Sequence, residues 1–548
     1  MISDKELEKI LSVVKRLKTQ ANVSRPTEAE LRKEAQSFAT PTEFGNYNFV
    51  SSVKNRSAGL TVYVGSTEVA QSALSHRQKE IVKNLPQTLA TLFSYLERAP
   101  FVYTKNSMGD NPYFACQCNL FVSVYRKEMV RLSFMVNRTL FPANDSAKAQ
   151  GPDFYLVYVP EWQEKDRQIL VFPEIGVTFV LGTDYYGEAK KGFLRLGMWY
   201  AKQREMLGLH AGSKIIYAKD AKTGKIKKYS MLIFGLTATG KTTHSCHDHG
   251  LNLKGEGIEI VQDDVVFLCK DGSTLGTERG FYLKTEGVSL KTQPLIYKAA
   301  TSPHAVFENV SVDYRGKVYF DDDTLTGNGR GIMQRDDFGK FKSKSINTPS
   351  LAELDGMIIA LITRRNTVVP IAAKLNPEQA AAFFMLGESI ESSGSDPKRA
   401  GESVREVGTN PFIIGEASYE GNWFYQFLKS HQDKISCFLL NTGGIGEIIE
   451  VTEEGSKITK RKVERVAISE MAAIIRGIVR NSIKWTKSNY FNYEVPQKVE
   501  SIDILRFNLA NFYSPEEIQA YLNDLKAERA EYFQKFSRLN PAIINSVQ

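Results

Sequence analysis

Met231-Leu-Ile-Phe-Gly235-Leu-Thr-Ala-Thr-Gly240-Lys241-Thr242-Thr243 is the stretch that decides the fold. Met231–Phe234 reads as an apolar strand, Gly235–Thr242 matches GxxxxGK[ST] in full, and Thr242–His249 is predicted to continue as a helix. Strand, glycine loop and helix in that order make a phosphate-binding P-loop. The glycines let the backbone wrap a phosphate chain, with N–H groups turned inward at a helix start that favours negative charge. Candidate nucleotide-binding residues are therefore Gly235, Leu236, Thr237, Ala238, Thr239, Gly240, Lys241, Thr242 and Thr243. Lys241 is expected to reach the β- and γ-phosphates, and the Thr242 hydroxyl to hold Mg²⁺. The bland alternative is a tight glycine turn without a ligand.

Such a loop needs an acidic partner for its metal. Ile258-Glu-Ile-Val-Gln-Asp263-Asp264 supplies an apolar strand ending in two carboxylates, 22 residues after Lys241. Alone, this pair would read as a turn; beside a P-loop, Asp263 and Asp264 are candidate metal ligands.

Working outward, apolar runs rich in Val, Tyr and Phe at Leu60–Val64, Leu120–Val124, Tyr155–Val159, Ile169–Phe172 and Val177–Leu181 predict strands. Ile10, Leu11, Val13, Val14 and Leu17 fall at helical spacing, as do Leu85, Leu89, Leu92 and Leu96, with Pro86 expected in the first turn of its helix. The last 80 residues are predicted to be helical, including Met471–Val479 and Pro515–Phe536. The polar stretch Lys219–Lys228 suggests a boundary, dividing the chain into an N-terminal domain, 1–215, and a C-terminal P-loop domain, 216–548, in an α/β fold.

Composition excludes several classes. In 548 residues, 42% hydrophobic and 24% charged, no run of about 18 uncharged apolar residues predicts a membrane span. Five cysteines are too few for a disulfide scaffold and suit a reducing compartment, so a cytoplasmic location is expected. The net charge of +8 is dilute and forms no basic run, so it is weak evidence for a nucleic-acid partner and fits anionic small molecules equally well. His244, Cys246, His247 and His249 crowd the region after the P-loop, but projection on a helix spreads them, and no second ligand pair has zinc-like spacing. They are read as structural, as are Cys116 and Cys118.

Several collinear motifs resemble the ATP-dependent phosphoenolpyruvate carboxykinase family. Gly235-Leu-Thr-Ala-Thr-Gly-Lys-Thr-Thr-His-Ser followed by Gln262-Asp-Asp is similar to that family's GLSGTGKTTLS and GDDEHGW. Thr183-Asp-Tyr185-Tyr-Gly-Glu188-Ala-Lys190-Lys191-Gly192 resembles TWYGGEMKKG, and His210 stands 19 residues after Lys191, the family's spacing. Glu278–Thr285, Glu308-Asn309-Val310, Asn328-Gly329-Arg330, Leu439–Gly443 and Arg465–Ser469 continue the likeness, and Asn55-Arg56-Ser57 matches the start of a further motif. The resemblance implies a two-lobed α/β enzyme converting oxaloacetate and ATP into phosphoenolpyruvate, CO₂ and ADP.

By that resemblance, Lys191, His210 and Asp264 bind a divalent cation, usually Mn²⁺, while Mg²⁺ accompanies the nucleotide. An amine ligates a metal only after losing its proton, so Lys191 needs a neighbouring cation or burial to release it. Lys191, His210, Lys241, Asp264 and Arg330 are the implied catalytic set. Arg56 is expected to clamp a substrate carboxylate, Tyr185 and Lys190 to line the substrate or CO₂ end, and Lys284, Arg465 and Val466 to meet the base and sugar. Gly387–Asn410 falls at the family's lid, which would exclude water.

The sequence also departs from the family. Val265 stands where the family has an acidic residue, Lys214 ends the histidine motif, and Glu447–Glu464 inserts a charged stretch before the last motif. These changes leave two rivals open: a kinase for another acceptor on the same scaffold, and a weakened nucleotide-binding regulatory protein.

Overall fold

A computed structural model describes residues 2–53, 57–70, 73–112, 114–143, 151–162, 167–236, 239–390, 402–451 and 457–547. Two large mixed sheets dominate a mixed α/β architecture. In the first, strands run in the spatial order Val23–Ser24, Phe101–Met108, Cys116–Ser123, Asp153–Val159, Val177–Leu181, Gln168–Phe172 and Thr61–Tyr63. The apolar runs named above thus form strands. They are apolar throughout because both faces are covered. Tyr155 and Val157 face the helices Asp4–Leu17 and His76–Leu96, whereas Leu156 and Tyr158 face Val130–Thr139 and Tyr186–Gln203.

The second sheet runs Gly257–Gln262, Ala211–Lys219, Ile226–Phe234, Gly356–Thr363, Ile435–Asn441, Ala372–Leu375, Glu494–Lys498, Lys484–Lys487. Its centre is parallel: Ile226–Phe234 beside Gly356–Thr363 beside Ile435–Asn441. The carboxyl ends of these three strands deliver Gly235, Arg364 and Thr442 to one edge, where open α/β sheets place their ligands. A third sheet ties residues from both parts of the chain together, since Tyr47–Phe49 pairs in parallel with Val306–Glu308, which pairs in turn with Arg330–Gln334.

The polar stretch Lys219–Lys228 is the turn of a hairpin joining Ala211–Lys219 to Ile226–Phe234 inside one sheet, and position 215 lies within the first of those strands. Pro86 sits in the interior of its helix rather than the first turn. Ser75 starts the helix at His76 by accepting from the Gln78 N–H while Gln78 accepts from the Ser75 N–H. Pro86 points to solvent, so water can satisfy the carbonyl that lost its helical donor. The helix after the P-loop is also shorter than expected, Lys241–Ser245, and His249 and Gly250 then both turn to positive φ. The region after Val479 contains a strand hairpin, Lys484–Lys487 with Glu494–Lys498, before helix resumes at Pro515–Phe533. No helix among the described residues is long and apolar enough to cross a membrane.

Candidate active site

A cleft of about 820 Å³ opens at the carboxyl edge of the central parallel strands. Part of the GxxxxGK[ST] motif lines it. Gly240 adopts φ +95°, a left-handed conformation that favours glycine, and a Cβ on Gly235 would meet Thr239 Oγ1 at 2.4 Å. Thr239 Oγ1 donates to Leu236 O at 2.7 Å, and Thr442 Oγ1, from the next strand but one, donates to Thr239 O at 2.6 Å. Leu236, Thr239, Gly240, Lys241, Thr242 and Thr243 line the cleft, while Gly235 is part of its supporting turn. Thr237 and Ala238 lie outside the described residues, as does Arg56.

Asp264 is the hub of the site. Its Oδ1 lies 2.6 Å from Lys241 Nζ and 2.9 Å from His210 Nε2, and its Oδ2 lies 2.7 Å from Lys190 Nζ and 3.0 Å from Lys191 Nζ. Burial pushes this carboxyl up, but the charges of Lys190, Lys191 and Lys241 outweigh burial and hold it well below the usual carboxylate range. Lys190 also reaches Glu278 Oε2 at 3.1 Å and lies 5.4 Å over the Tyr282 ring. Burial raises Glu278 to about 7, with Lys190 opposing. Lys190 is therefore buried behind Asp264 and does not line the cleft, in contrast to Lys191.

His210 carries its own orientation signal. Burial, then the charge of Lys241, lowers it to about 4, so the ring is neutral at neutral pH. Its Nδ1 stands 2.5 Å from the Thr409 carbonyl, which can only accept, so Nδ1 holds the proton. The Nε2 lone pair then faces Asp264 Oδ1. Phe412 packs edge-on against the ring and lies 4.5 Å beneath Lys191 Nζ. Asp263 is buried, raised above its ordinary value by burial and the charge of Asp264, and hydrogen-bonded to the Thr242 side chain. Its Oδ1 has no partner among the described residues.

The remaining expected residues divide between two walls. Tyr185 and Arg330 meet on one: Tyr282 Oη donates to Tyr185 Oη at 3.3 Å, and the Arg330 guanidinium lies 5.5 Å over the Tyr282 ring with its Nε unpartnered among the described residues. Lys284, paired with Glu286, and Arg465 and Val466 line the other. Arg465 sits opposite Gly444 in a short ladder, and Val466 N donates to Gly443 O at 3.2 Å. Val265, at the altered acidic position, is fully buried in the core shared with Phe193 and Phe267, so that side chain does not face the cleft.

Sequence reasoning missed Glu278, Tyr282, Thr409 and Phe412 as functional contributors, together with Arg364 and Asn366, which also line the cleft. Glu278 and Tyr282 sit in a quoted motif and Thr409 in the lid stretch; Phe412, Arg364 and Asn366 offered no local signal. The expectation that His244, His247 and His249 are spread around a helix is corrected. Because that helix ends at Ser245, their rings gather at centroid separations of 5.2–6.4 Å. Lys214 Nζ fills their midst, donating to His244 O at 2.5 Å and His247 O at 2.9 Å and meeting His249 Nε2. The cluster is structural: Lys214 satisfies the carbonyls of a short helix end.

A family model described as phosphoenolpyruvate carboxykinase, of the ATP type, matches residues 18–504. The chain belongs to this family. A phosphoenolpyruvate carboxykinase (ATP) from Aeropyrum pernix is 27% identical over 490 residues, covering 88% of this chain and 91% of the relative. The protein of the same description from Christiangramia forsetii is 29% identical over 416 residues, 73% and 71% of the two chains. That from Staphylococcus aureus strain MSSA476 is 25% identical over 406 residues, 72% and 70%.

The phosphoenolpyruvate carboxykinase family implies ATP and a divalent metal, and the donor chemistry here fits one. Two acceptor lone pairs, His210 Nε2 and an Asp264 oxygen, face each other at 2.9 Å, an arrangement that a shared cation satisfies. A second buried oxygen, Asp263 Oδ1, is unpartnered beside Thr242. No group of three His, Cys, Asp or Glu side chains among the described residues is placed to hold a metal. The expected set Lys191, His210 and Asp264 falls outside such a group because one of its three members is a lysine.

Proposed function

We propose that this cleft converts oxaloacetate and ATP into phosphoenolpyruvate, CO₂ and ADP. The observation that carries the reading is the convergence on Asp264 of the phosphate-loop lysine, Lys241, with Lys191 and His210. One carboxylate thereby joins a triphosphate site to a second cation-binding site. We further propose a two-lobed division of labour, with residues 1–215 on the substrate side and 216–548 carrying the nucleotide and metals.

In this reading, decarboxylation breaks the bond to the departing carboxylate of oxaloacetate and leaves its electron pair as an enolate. The enolate oxygen then forms a bond to the γ-phosphorus as the bond to the β,γ-bridging oxygen breaks, releasing ADP. Lys191, His210 and Asp264 would hold a divalent cation, Mn²⁺ being preferred, which would supply positive charge beside the enolate, and Thr242 and Asp263 would hold the Mg²⁺ of the triphosphate. Lys241 and Arg330, both on the cleft wall, stabilise the charge spread over the transferring phosphoryl oxygens. Thr409 keeps the His210 proton on Nδ1, so Nε2 remains a donor atom toward the cleft. Tyr185, with Arg56, orients the substrate, and Lys190 stabilises Asp264 from behind. Lys284, Arg465 and Val466 receive the nucleoside.

The test is a coupled assay for phosphoenolpyruvate from oxaloacetate with ATP, GTP or pyrophosphate and with Mn²⁺ or Mg²⁺. Product with ATP is expected, highest with Mn²⁺ present. ATP binding without product under every combination would overturn the reading and favour another acceptor or a regulatory role.

A further inference from the structure

Counting outward from the phosphate loop, the cleft wall passes from Thr442 to the Gly444–Arg465 rung and then to Glu447. Beyond this rises a hairpin, Ile448–Val451 paired with Lys457–Arg461. We infer that Ile449 and Thr459 of this hairpin bear on the base of the bound nucleoside triphosphate and set the affinity for it, an inference that rests on reading the cleft as the ATP site.

The geometry is specific. Ile449 and Thr459 are directly opposite in the ladder, so their side chains share one face, and both line the cleft. A register irregularity between Ile448 and Ile449 breaks the alternation, as a bulge does when it re-aims a strand. Ile449 is 39% exposed, a large apolar side chain left half-covered at a cavity wall. Ile468 and Met471 line the same cleft and add apolar surface. Apolar walls with a few polar groups are what a planar heterocycle requires.

The hairpin's charges point to a base rather than to phosphate. Arg461 Nε donates to Gly446 O at 2.6 Å, and its guanidinium lies 5.0 Å over Tyr513 and 5.7 Å over Phe512. Lys460 pairs with Glu450 at 2.9 Å. Lys460 and Arg461 are thus engaged within the protein, and the pair that lines the cleft, Ile449 and Thr459, is uncharged. The root of the hairpin is fixed as well: Tyr513 Oη donates to Glu447 O at 2.8 Å, and Asn366 Nδ2 donates to Glu447 Oε2 at 3.0 Å. A wall anchored in this way holds its apolar face in place before the ligand arrives, which lowers the ordering cost of binding.

Calorimetric titration of the full chain with MgATP and with magnesium tripolyphosphate, which lacks base and sugar, separates the possibilities. Ile449→Ala is expected to weaken ATP about tenfold, the scale of losing aliphatic contact in a pocket. Tripolyphosphate affinity should stay within twofold, which also reports an intact phosphate loop in the variant. Thr459→Val should weaken ATP less than Ile449→Ala and again spare tripolyphosphate. Unchanged ATP affinity in Ile449→Ala, or equal weakening of both ligands, would overturn the inference while leaving the ATP reading intact. A wild-type chain that binds neither ligand would overturn the ATP reading and this inference with it.

Discussion

Two buried carboxylates in this molecule each collect a surplus of cations, and they do so with different residues. Asp264 gathers three lysines and a neutral histidine at the floor of the cleft. Glu388 gathers three arginines: Arg529, which contacts both oxygens, Arg365 at 3.4 Å and Arg405 at 3.6 Å. The arginine forks are permanently charged and planar, and they lock Glu388 to the strand Ser403–Arg405 and the helix Pro515–Phe533. Glu528 closes the rim of that cluster, 2.8 Å from Arg405. Lysines are compact point charges that can re-aim or release a proton, and the Asp264 cluster opens on one side to the cleft. The contrast teaches that cation type, more than cation number, separates a site prepared for ligands from a clamp.

The two clusters are joined. The strand carrying Arg405 pairs with Glu388 and leads into Thr409, whose carbonyl fixes the His210 tautomer. Thr409 adopts φ +52°, a left-handed conformation costly for a β-branched residue, and that strain is held where it orients a functional side chain. The arginine clamp thus lies next in sequence to the segment that aims His210.

The contrast can be broken from either side. Lys241→Ala should lower phosphoenolpyruvate formation at least about a thousandfold, the scale of losing a cation on a transferring phosphoryl group. Its urea midpoint should hardly move, because two ammonium groups remain on Asp264. Glu388→Gln should do the reverse. It leaves three buried arginines facing a neutral group, and a loss of about 3–5 kcal/mol is expected in urea unfolding, with turnover per folded molecule retained.

The pH dependence of that loss has a definite sign. Burial opposes the charged form of Glu388, but Arg529, Arg365 and Arg405 hold it far below its ordinary value of 4.5. The unfolded chain therefore takes up the proton first as pH falls. The stabilisation is complete above about pH 4.5 and declines as pH drops toward the depressed folded value. Wild type and Glu388→Gln should converge in stability on acidification; a gap that widened would contradict the clamp. The smallest effect belongs to Glu528→Gln. Its side chain is 46% exposed, so solvent screens its pairs, and unfolding should show under about 1 kcal/mol, further reduced by salt.

The sequence made some of this contrast readable. The phosphate loop announces itself because its chemistry demands a contiguous pattern, and Asp263-Asp264 follows directly from a strand end. Lys191 and His210 were legible through collinear motifs, although their meeting at Asp264 depends on the long strands that bring residues 191, 210, 241 and 264 together. The Glu388 clamp was not legible: its partners lie at positions 365, 405 and 529, each an unremarked arginine in its own segment. The inward turn of Lys190 was equally hidden, since adjacent lysines on a helix differ in which face they present, and Glu278 decides that only after folding. The histidine cluster was misread because the helix after the P-loop stops at Ser245, a boundary set by the turn that follows.

The most direct test of the hub is phosphoenolpyruvate production by Asp264→Asn and Glu388→Gln side by side, expressed per mole of folded protein with ATP and Mn²⁺. Asp264→Asn should fall at least about a thousandfold, because one substitution removes the counter-charge of Lys241 and a donor beside His210 together, while folded Glu388→Gln stays within a few-fold of wild type. Turnover by Asp264→Asn within tenfold of wild type would contradict the account.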